Sequence, residues 1–216
     1  MMTHFFNQQV FDQLQAAYIS DYATGDRYLT FDHHRSYHFR MNLSYYYESI
    51  TAKTLKKTVG IVRELIDSIF SDEQTIVIAQ YIYQRKQLKK LLDPSQIRLD
   101  RFCSLLFEQG TLRLLEYSSE SPLILQKIGA SLVYQDFSNL NPGYPHLVNP
   151  TILINLRKEI VLHIYDDRGC DVFCKEERDY LALTNQFQPY IESYTRDMMQ
   201  LDYTVLTSPY GVHFTK

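Results

Sequence analysis

The chain has 216 residues, 45% of them hydrophobic and 22% charged, with a formal net charge of −3 and a pI near 6.2. That apolar content excludes a disordered chain, and the acidic balance argues against a general nucleic-acid binder, which needs a basic face. Three cysteines, Cys103, Cys170 and Cys174, contain no CxxC pair, so neither a disulfide framework nor a zinc knuckle is expected and reduced thiols in a cytoplasmic protein are.

The first residues, Met1-Met2-Thr3-His4-Phe5-Phe6-Asn7-Gln8, lack a basic region followed by an apolar one, so no secretory leader is expected. No run approaches the roughly 18 apolar residues of a membrane span. Residues 5–19 place Phe6, Val10, Phe11, Leu14, Ala17 and Tyr18 on one helical stripe, which predicts a first amphipathic helix. Thr24-Gly25-Asp26 marks a loop. From Ser36 to Leu43, Tyr37, Phe39, Met41 and Leu43 alternate with His38, Arg40 and Asn42, a half-buried strand. Nearby His33 and His34 invite a metal reading, but adjacent positions diverge on a strand and no Cys or Glu completes a ligand set.

The longest predicted helix runs from Ser49 to Phe70 on a stripe of Leu55, Val59, Val62, Ile66 and Ile69. The β-branched run Thr75 to Tyr83 predicts a central strand buried on both faces. Gln84 to Leu92 carries Arg85, Lys86, Lys89 and Lys90, a solvated basic face. Asp93-Pro94 breaks the chain. Arg98 to Glu108, with Leu99, Phe102, Leu105 and Leu106 at helical spacing, predicts a short helix. Thr111 to Tyr117 predicts a strand. Ser121-Pro122 opens the next helix, with serine as the cap and proline at the first helical position. Asn139-Leu140-Asn141-Pro142-Gly143-Tyr144-Pro145 is a loop.

Ile152 to Leu156, Ile160 to Tyr165 and Cys170 to Phe173 predict a three-strand meander. Glu176 to Leu201 carries Leu183, Phe187, Tyr190, Ile191, Tyr194, Met198 and Leu201 at helical spacing, interrupted by Pro189. A long closing helix with a kink or break at the proline is expected. The tail from Tyr203 is either an edge strand or unstructured. Together these elements predict an α+β fold, with a mixed or antiparallel sheet of about five to six strands and helices mainly on one face. The whole of 1–216 is expected to form a single domain, with the loop at 139–150 as the one place to divide it.

Tyr165-Asp166-Asp167-Arg168-Gly169-Cys170-Asp171-Val172, with Ile154-Asn155 before it and Phe187, Tyr190, Ile191, Tyr194 and Arg196 after it, resembles the C-terminal half of a bacterial family known as domain of unknown function 3885. Gln135-Asp136-Phe137 is similar to a step that precedes the meander in that family. Phe39-Arg40 and the helix–strand pair from Leu55 to Tyr83 resemble its N-terminal half more loosely. Tyr190 stands where a tryptophan is usual, and Pro189 is atypical. The resemblance implies the fold and a bacterial cytosolic setting. It carries no activity.

The Asp166 to Gly169 corner joins two of the predicted strands. Glycine at its end suits a hairpin with a glycine bulge, where a positive φ is free of steric cost. Asp166 is placed to accept from turn amides, and Arg168 to reach Asp166, Asp171 or Glu176. The candidate binding residues are His163, Asp166, Asp167, Arg168 and Asp171, with Gly169 as the structural turn. No Walker loop, GxGxxG or GxSxG occurs, and no catalytic residue, metal ligand or cofactor is assigned. The expected function is a non-catalytic binding or interaction module, immunity-like or regulatory, acting on a protein partner and not on nucleic acid or membrane. The alternative is a small metal-assisted hydrolase built on Asp166, Asp167, Asp171 and His163.

Overall fold

The computed structural model describes residues 19–21, 27–29, 37–44, 49–71, 76–82, 102–107, 110–117, 123–147, 151–191, 205–208 and 211–214. The predicted helix at 5–19 lies outside them except for Ile19, which begins a strand, and so do the histidines at 33 and 34 and the basic run at 84–92. In chain order the elements are β1 (Ile19–Asp21), β2 (Arg27–Leu29), β3 (Tyr37–Asn42), α1 (Ala52–Phe70), β4 (Ile76–Ile82), β5 (Phe102–Phe107), β6 (Gly110–Tyr117) and α2 (Leu123–Val133). Then follow β7 (Thr151–Asn155), β8 (Ile160–Ile164), β9 (Gly169–Cys174), α3 (Glu177–Gln186), a 3-10 turn (Gln188–Tyr190), β10 (Val205–Ser208) and β11 (Gly211–Phe214).

Seven strands form one sheet in the order β3-β9-β8-β7-β4-β6-β5, and every neighbouring pair is antiparallel. β1 with β2, and β10 with β11, make separate two-stranded hairpins. The fold is therefore α+β with an antiparallel sheet. The sheet has one strand more than expected. Phe102–Phe107 is strand β5, paired with β6 from Phe102↔Leu115 to Phe107↔Gly110, not a helix. A short apolar run satisfies helical and extended spacing equally, and here the hairpin partner decides. The tail contributes a hairpin of its own and not an edge strand to the main sheet.

One face of the sheet carries Phe39, Met41, Ile78, Leu153, Leu162 and Val172, all in the main core. Onto it pack α1 through Leu55, Val62, Leu65, Ile66 and Ile69, α2 through Leu125 and Leu132, and α3 through Leu183. Each such side chain contributes roughly 1.5–3 kcal/mol when fully buried. The opposite face is buried too: Val77, Ala79, Ile152, Ile154, Val161 and Phe173 are all under 7% exposed. That is why β4 and β7 carry consecutive apolar residues, Ile76 to Ala79 and Ile152 to Ile154, rather than alternate ones.

Helix α1 begins at a reciprocal cap, in which the Thr54 amide donates to Thr51 Oγ1 at 3.2 Å and the Thr51 amide to Thr54 Oγ1 at 2.7 Å. It crosses α2 at Gly129, where an added Cβ would lie 2.7 Å from both Ile66 Cδ1 and Val62 Cγ1. At its other end the Asn155 side chain donates to the Ile69 carbonyl at 2.7 Å and accepts from the Lys158 amide at 2.9 Å. One buried amide thus ties the β7–β8 turn to the helix terminus.

The expected closing helix is broken at its proline. Helix α3 stops at Gln186, a 3-10 turn containing Pro189 follows, and Ile191 makes an antiparallel bridge to Met41. Proline cannot donate in a helix interior and its ring clashes with the preceding turn, so the break falls where proline demands one. The remainder of the periodic stretch, 192–201, lies outside the described residues.

Candidate functional site

The corner between β8 and β9 is closed by bonds to its own backbone and neighbours. The Asp166 carboxylate accepts from the Arg168 amide at 2.7 Å and from Arg168 Nε at 2.7 Å, with Arg168 Nη2 as a further donor. Asp166 is buried, whereas the Arg168 side chain is 79% exposed. The Asp167 side chain turns the other way, into the protein, where Ser44 Oγ donates to it at 2.9 Å. Burial pushes the Asp167 carboxyl up, the Ser44 bond opposes this, and the neighbouring Asp166 charge adds to it. The Arg168 carbonyl accepts from the Leu43 amide at 2.8 Å and the Gly169 carbonyl from the Tyr165 amide at 3.2 Å. The Gln135 side-chain amide donates to the Tyr165 carbonyl, so the end of α2 also holds the corner.

Gly169 does not have a positive φ; among the described glycines only Gly143 does. The expected glycine bulge is absent. What requires glycine is close approach: a Cβ would lie 2.8 Å from the Met41 carbonyl oxygen and 3.0 Å from the Tyr165 ring. The positive φ of the meander falls instead at Glu159, φ 50°, in the turn between β7 and β8.

A second cluster forms on the sheet face away from the three helices. The register aligns Ile152, His163, Asp171 and Arg40 across β7, β8, β9 and β3. Strand alternation puts His163 and Asp171 on the same face, with Arg40 and His38 beside them. Asp171 is the hub. It accepts from Arg40 Nε at 2.9 Å, Arg40 Nη2 at 3.3 Å and His38 Nε2 at 2.9 Å. Because the carboxylate only accepts, His38 carries its proton on Nε2. The His38 ring stacks on Phe173 at 4.5 Å. Burial alone would push Asp171 up, but the bonds from His38 and Arg40 outweigh it and hold the carboxyl at about 2.

Tyr165 completes this cluster. Its ring stands edge-on to His163 at 5.3 Å, and the Arg40 guanidinium lies over it at 5.8 Å. The Tyr165 hydroxyl is buried without a hydrogen-bond partner. Burial and the nearby Asp171 charge push its pKa up. Burial pulls His163 below the ordinary imidazole value, with the Asp171 charge opposing and the Arg40 charge adding to the fall. His163 is therefore neutral at pH 7.

The five candidate residues do not share one site. His163 and Asp171 meet on the sheet face, Asp166 and Arg168 pair within the corner, and Asp167 faces Ser44 inside. In the sequence, His38 and Arg40 are only the polar side of a strand, and nothing there gives Tyr165 a role. The signal was their alternation opposite Phe39 and Met41, which has meaning only once β9 is known to be the neighbour. Cys170 and Cys174 are buried; burial pushes the Cys174 thiol up to about 12 and raises Cys170 as well. Neither suits a nucleophile, which must reach the thiolate. Among the described residues, no group of three or more His, Cys, Asp or Glu side chains is arranged to hold a metal ion.

A family model described as domain of unknown function (DUF3885) matches residues 12–195. The chain belongs to this family. Comparison with curated proteins and with solved structures found no match. In this DUF3885 chain the matched span takes in all seven strands of the sheet and the three described helices. No helix among the described residues is long and apolar enough to cross a membrane.

Proposed function

We propose that this DUF3885 chain is a non-catalytic binding module of the bacterial cytoplasm that acts by docking a protein partner, in a regulatory or immunity-like role. The observation that supports this is how the aspartates are used. Asp166 is taken by Arg168, Asp167 by Ser44, and Asp171 by His38 and Arg40. A general base needs a lone pair within reach of a substrate proton, and each of these carboxylates already accepts from its own chain. The alternative, a metal-assisted hydrolase on Asp166, Asp167, Asp171 and His163, has less support because these side chains turn to three different sets of neighbours.

The test is capture from the producing cell with the full chain as bait, followed by titration calorimetry between the two purified proteins. Saturable binding without metal, and no turnover of phosphodiester or ester substrates with Mn²⁺ or Zn²⁺, is the expected result. Metal-stimulated hydrolysis abolished by His163→Ala, with no partner recovered, would reverse the reading.

A further inference from the structure

We infer that the open flank of α3, together with Tyr37 at the edge of the sheet, is the docking surface for a segment of a protein partner in which an apolar side chain stands between lysines or arginines. This rests on the interaction-module reading above and gives that module a face and a partner chemistry. Three large hydrophobic side chains of the described residues are exposed: Tyr37 at 40%, Leu181 at 49% and Leu123 at 62%. Single exposed apolar residues are ordinary on a protein surface. Tyr37 and Leu181, however, flank one shared side chain. The Tyr37 ring lies 5.4 Å from that of Tyr180, and Leu181 is the next residue of α3. Tyr180 in turn meets Phe39 edge-on at 5.9 Å, so a row of rings runs from the surface into the core.

Helical geometry turns this corner away from the rest of the molecule. Gln186 Nε2 donates to Ser68 Oγ of α1 at 2.9 Å, so that flank of α3 faces α1. Leu181 lies about 140° round the helix from Gln186, on the flank turned away. β3, which carries Tyr37, is the edge strand of the sheet. Ala182 beside Leu181 is exposed too. Glu177 stands one turn before Leu181 on the same flank. Glu176 follows closely on Cys174, the register partner of Tyr37. An apolar centre and two carboxylates therefore share one end of the molecule.

The charge around that centre decides the partner's chemistry. Glu176 and Glu177 are exposed. Glu176 makes no cap bond with its side chain, and among the described residues neither carboxylate takes an ion pair. The cations nearby pair with other acids, Lys175 with Glu159 and Arg178 with Asp179. Negative charge suits the amide end of α3, and it leaves both carboxylates available to a partner's lysine or arginine. Apolar contact at the centre with charge pairs at the rim is the usual anatomy of a protein interface. The same carboxylates repel the phosphates of nucleic acid and of an anionic membrane. A second copy docked face to face would bring carboxylates against carboxylates.

The experiment uses the full chain in extract of the producing cell, with carbodiimide joining carboxylates directly to lysine amines and the linked peptides sequenced. Links from Glu176 or Glu177 to lysines that neighbour an apolar residue in one second protein are expected. With that protein purified, affinity should fall at least tenfold in Leu181→Ser and in Glu176→Gln/Glu177→Gln. Added salt should weaken wild-type binding more steeply than binding by the double variant. Leu181 is half exposed and outside the core, so Leu181→Ser should melt with the wild type and lost binding is not lost folding. A partner bound undiminished by both variants overturns this surface and leaves the module reading intact. Binding lost in Leu181→Ser but indifferent to salt and to the paired glutamines overturns the basic chemistry of the partner. Links from Glu176 or Glu177 to a second copy of this chain alone overturn the choice of occupant. Recovery of no second protein by any means overturns the module reading itself.

Discussion

Two aspartates in the same short stretch are held in opposite ways. Asp171 is buried with its charge compensated by Arg40 and His38. Asp167 is buried with the Ser44 hydroxyl as its side-chain donor, and burial outweighs what opposes it. Removing one partner of a compensated buried pair strands the other and costs about 3–5 kcal/mol. The Arg40 side chain is 35% exposed, which lets water screen it, so Asp171→Asn is expected near the lower end, about 3 kcal/mol. Asp167→Asn keeps an acceptor for Ser44 and removes a charge that burial disfavours, so its effect should stay within about 1 kcal/mol of wild type. Urea unfolding of both variants at pH 7 checks the contrast. Equal losses would mean that the two carboxylates are held alike. Gly169→Ala tests the corner itself. Its methyl must displace the Met41 carbonyl, which is backbone and cannot swing aside. A loss of about 2–3 kcal/mol is expected in the same assay, and a neutral result would show that β3 and β9 can part locally at no cost.

At the scale of elements, Asn155 makes the sharpest prediction. It is 0% exposed and bridges the β7–β8 turn to the last turn of α1. Alanine there leaves the Ile69 carbonyl with only the Lys158 ammonium, at 3.3 Å, and the Lys158 amide with no side-chain acceptor. A loss of about 1–3 kcal/mol is expected, with amide exchange accelerating first at the C-terminal end of α1 rather than across the sheet. Uniformly faster exchange would contradict that local role. The same element shows what was legible beforehand. The stripe Leu55, Val59, Val62, Ile66 and Ile69 defines α1, and period-two alternation defines β3, because each pattern is long enough to admit one solution. The meander was placed to within a residue or so at each end. Phe102–Phe107 was not, since six residues satisfy both periods. In the closing segment the apolar spacing runs on past Pro189, and it is the proline, also legible in the sequence, that ends α3 nearby.

Which strands neighbour one another is the part a single sequence hides, and the cluster around Asp171 depends on it. β3 and β9 are more than a hundred residues apart, and their pairing brings His38 and Arg40 to Asp171. That long-range assembly should set the acid limit of the whole molecule. Asp171 has a folded pKa of about 2 against an ordinary value near 3.9. Its stabilisation is therefore fully present above about pH 4 and is lost as pH falls toward 2, amounting to on the order of 2 kcal/mol. Asp167 has the opposite sign. Its raised pKa makes the charge a liability at neutral pH that disappears on acidification. Stability measured from pH 7 to pH 2 should therefore separate the two variants. The gap between wild type and Asp171→Asn narrows on the acid side, chiefly below pH 4. Any advantage of Asp167→Asn over wild type is greatest at neutral pH and vanishes above that window, as Asp167 takes up its proton. If the Asp171→Asn gap stays constant down to pH 2, the carboxylate is not the charged hub that its bonds to His38 and Arg40 make it. The cost of that variant would then come from packing alone.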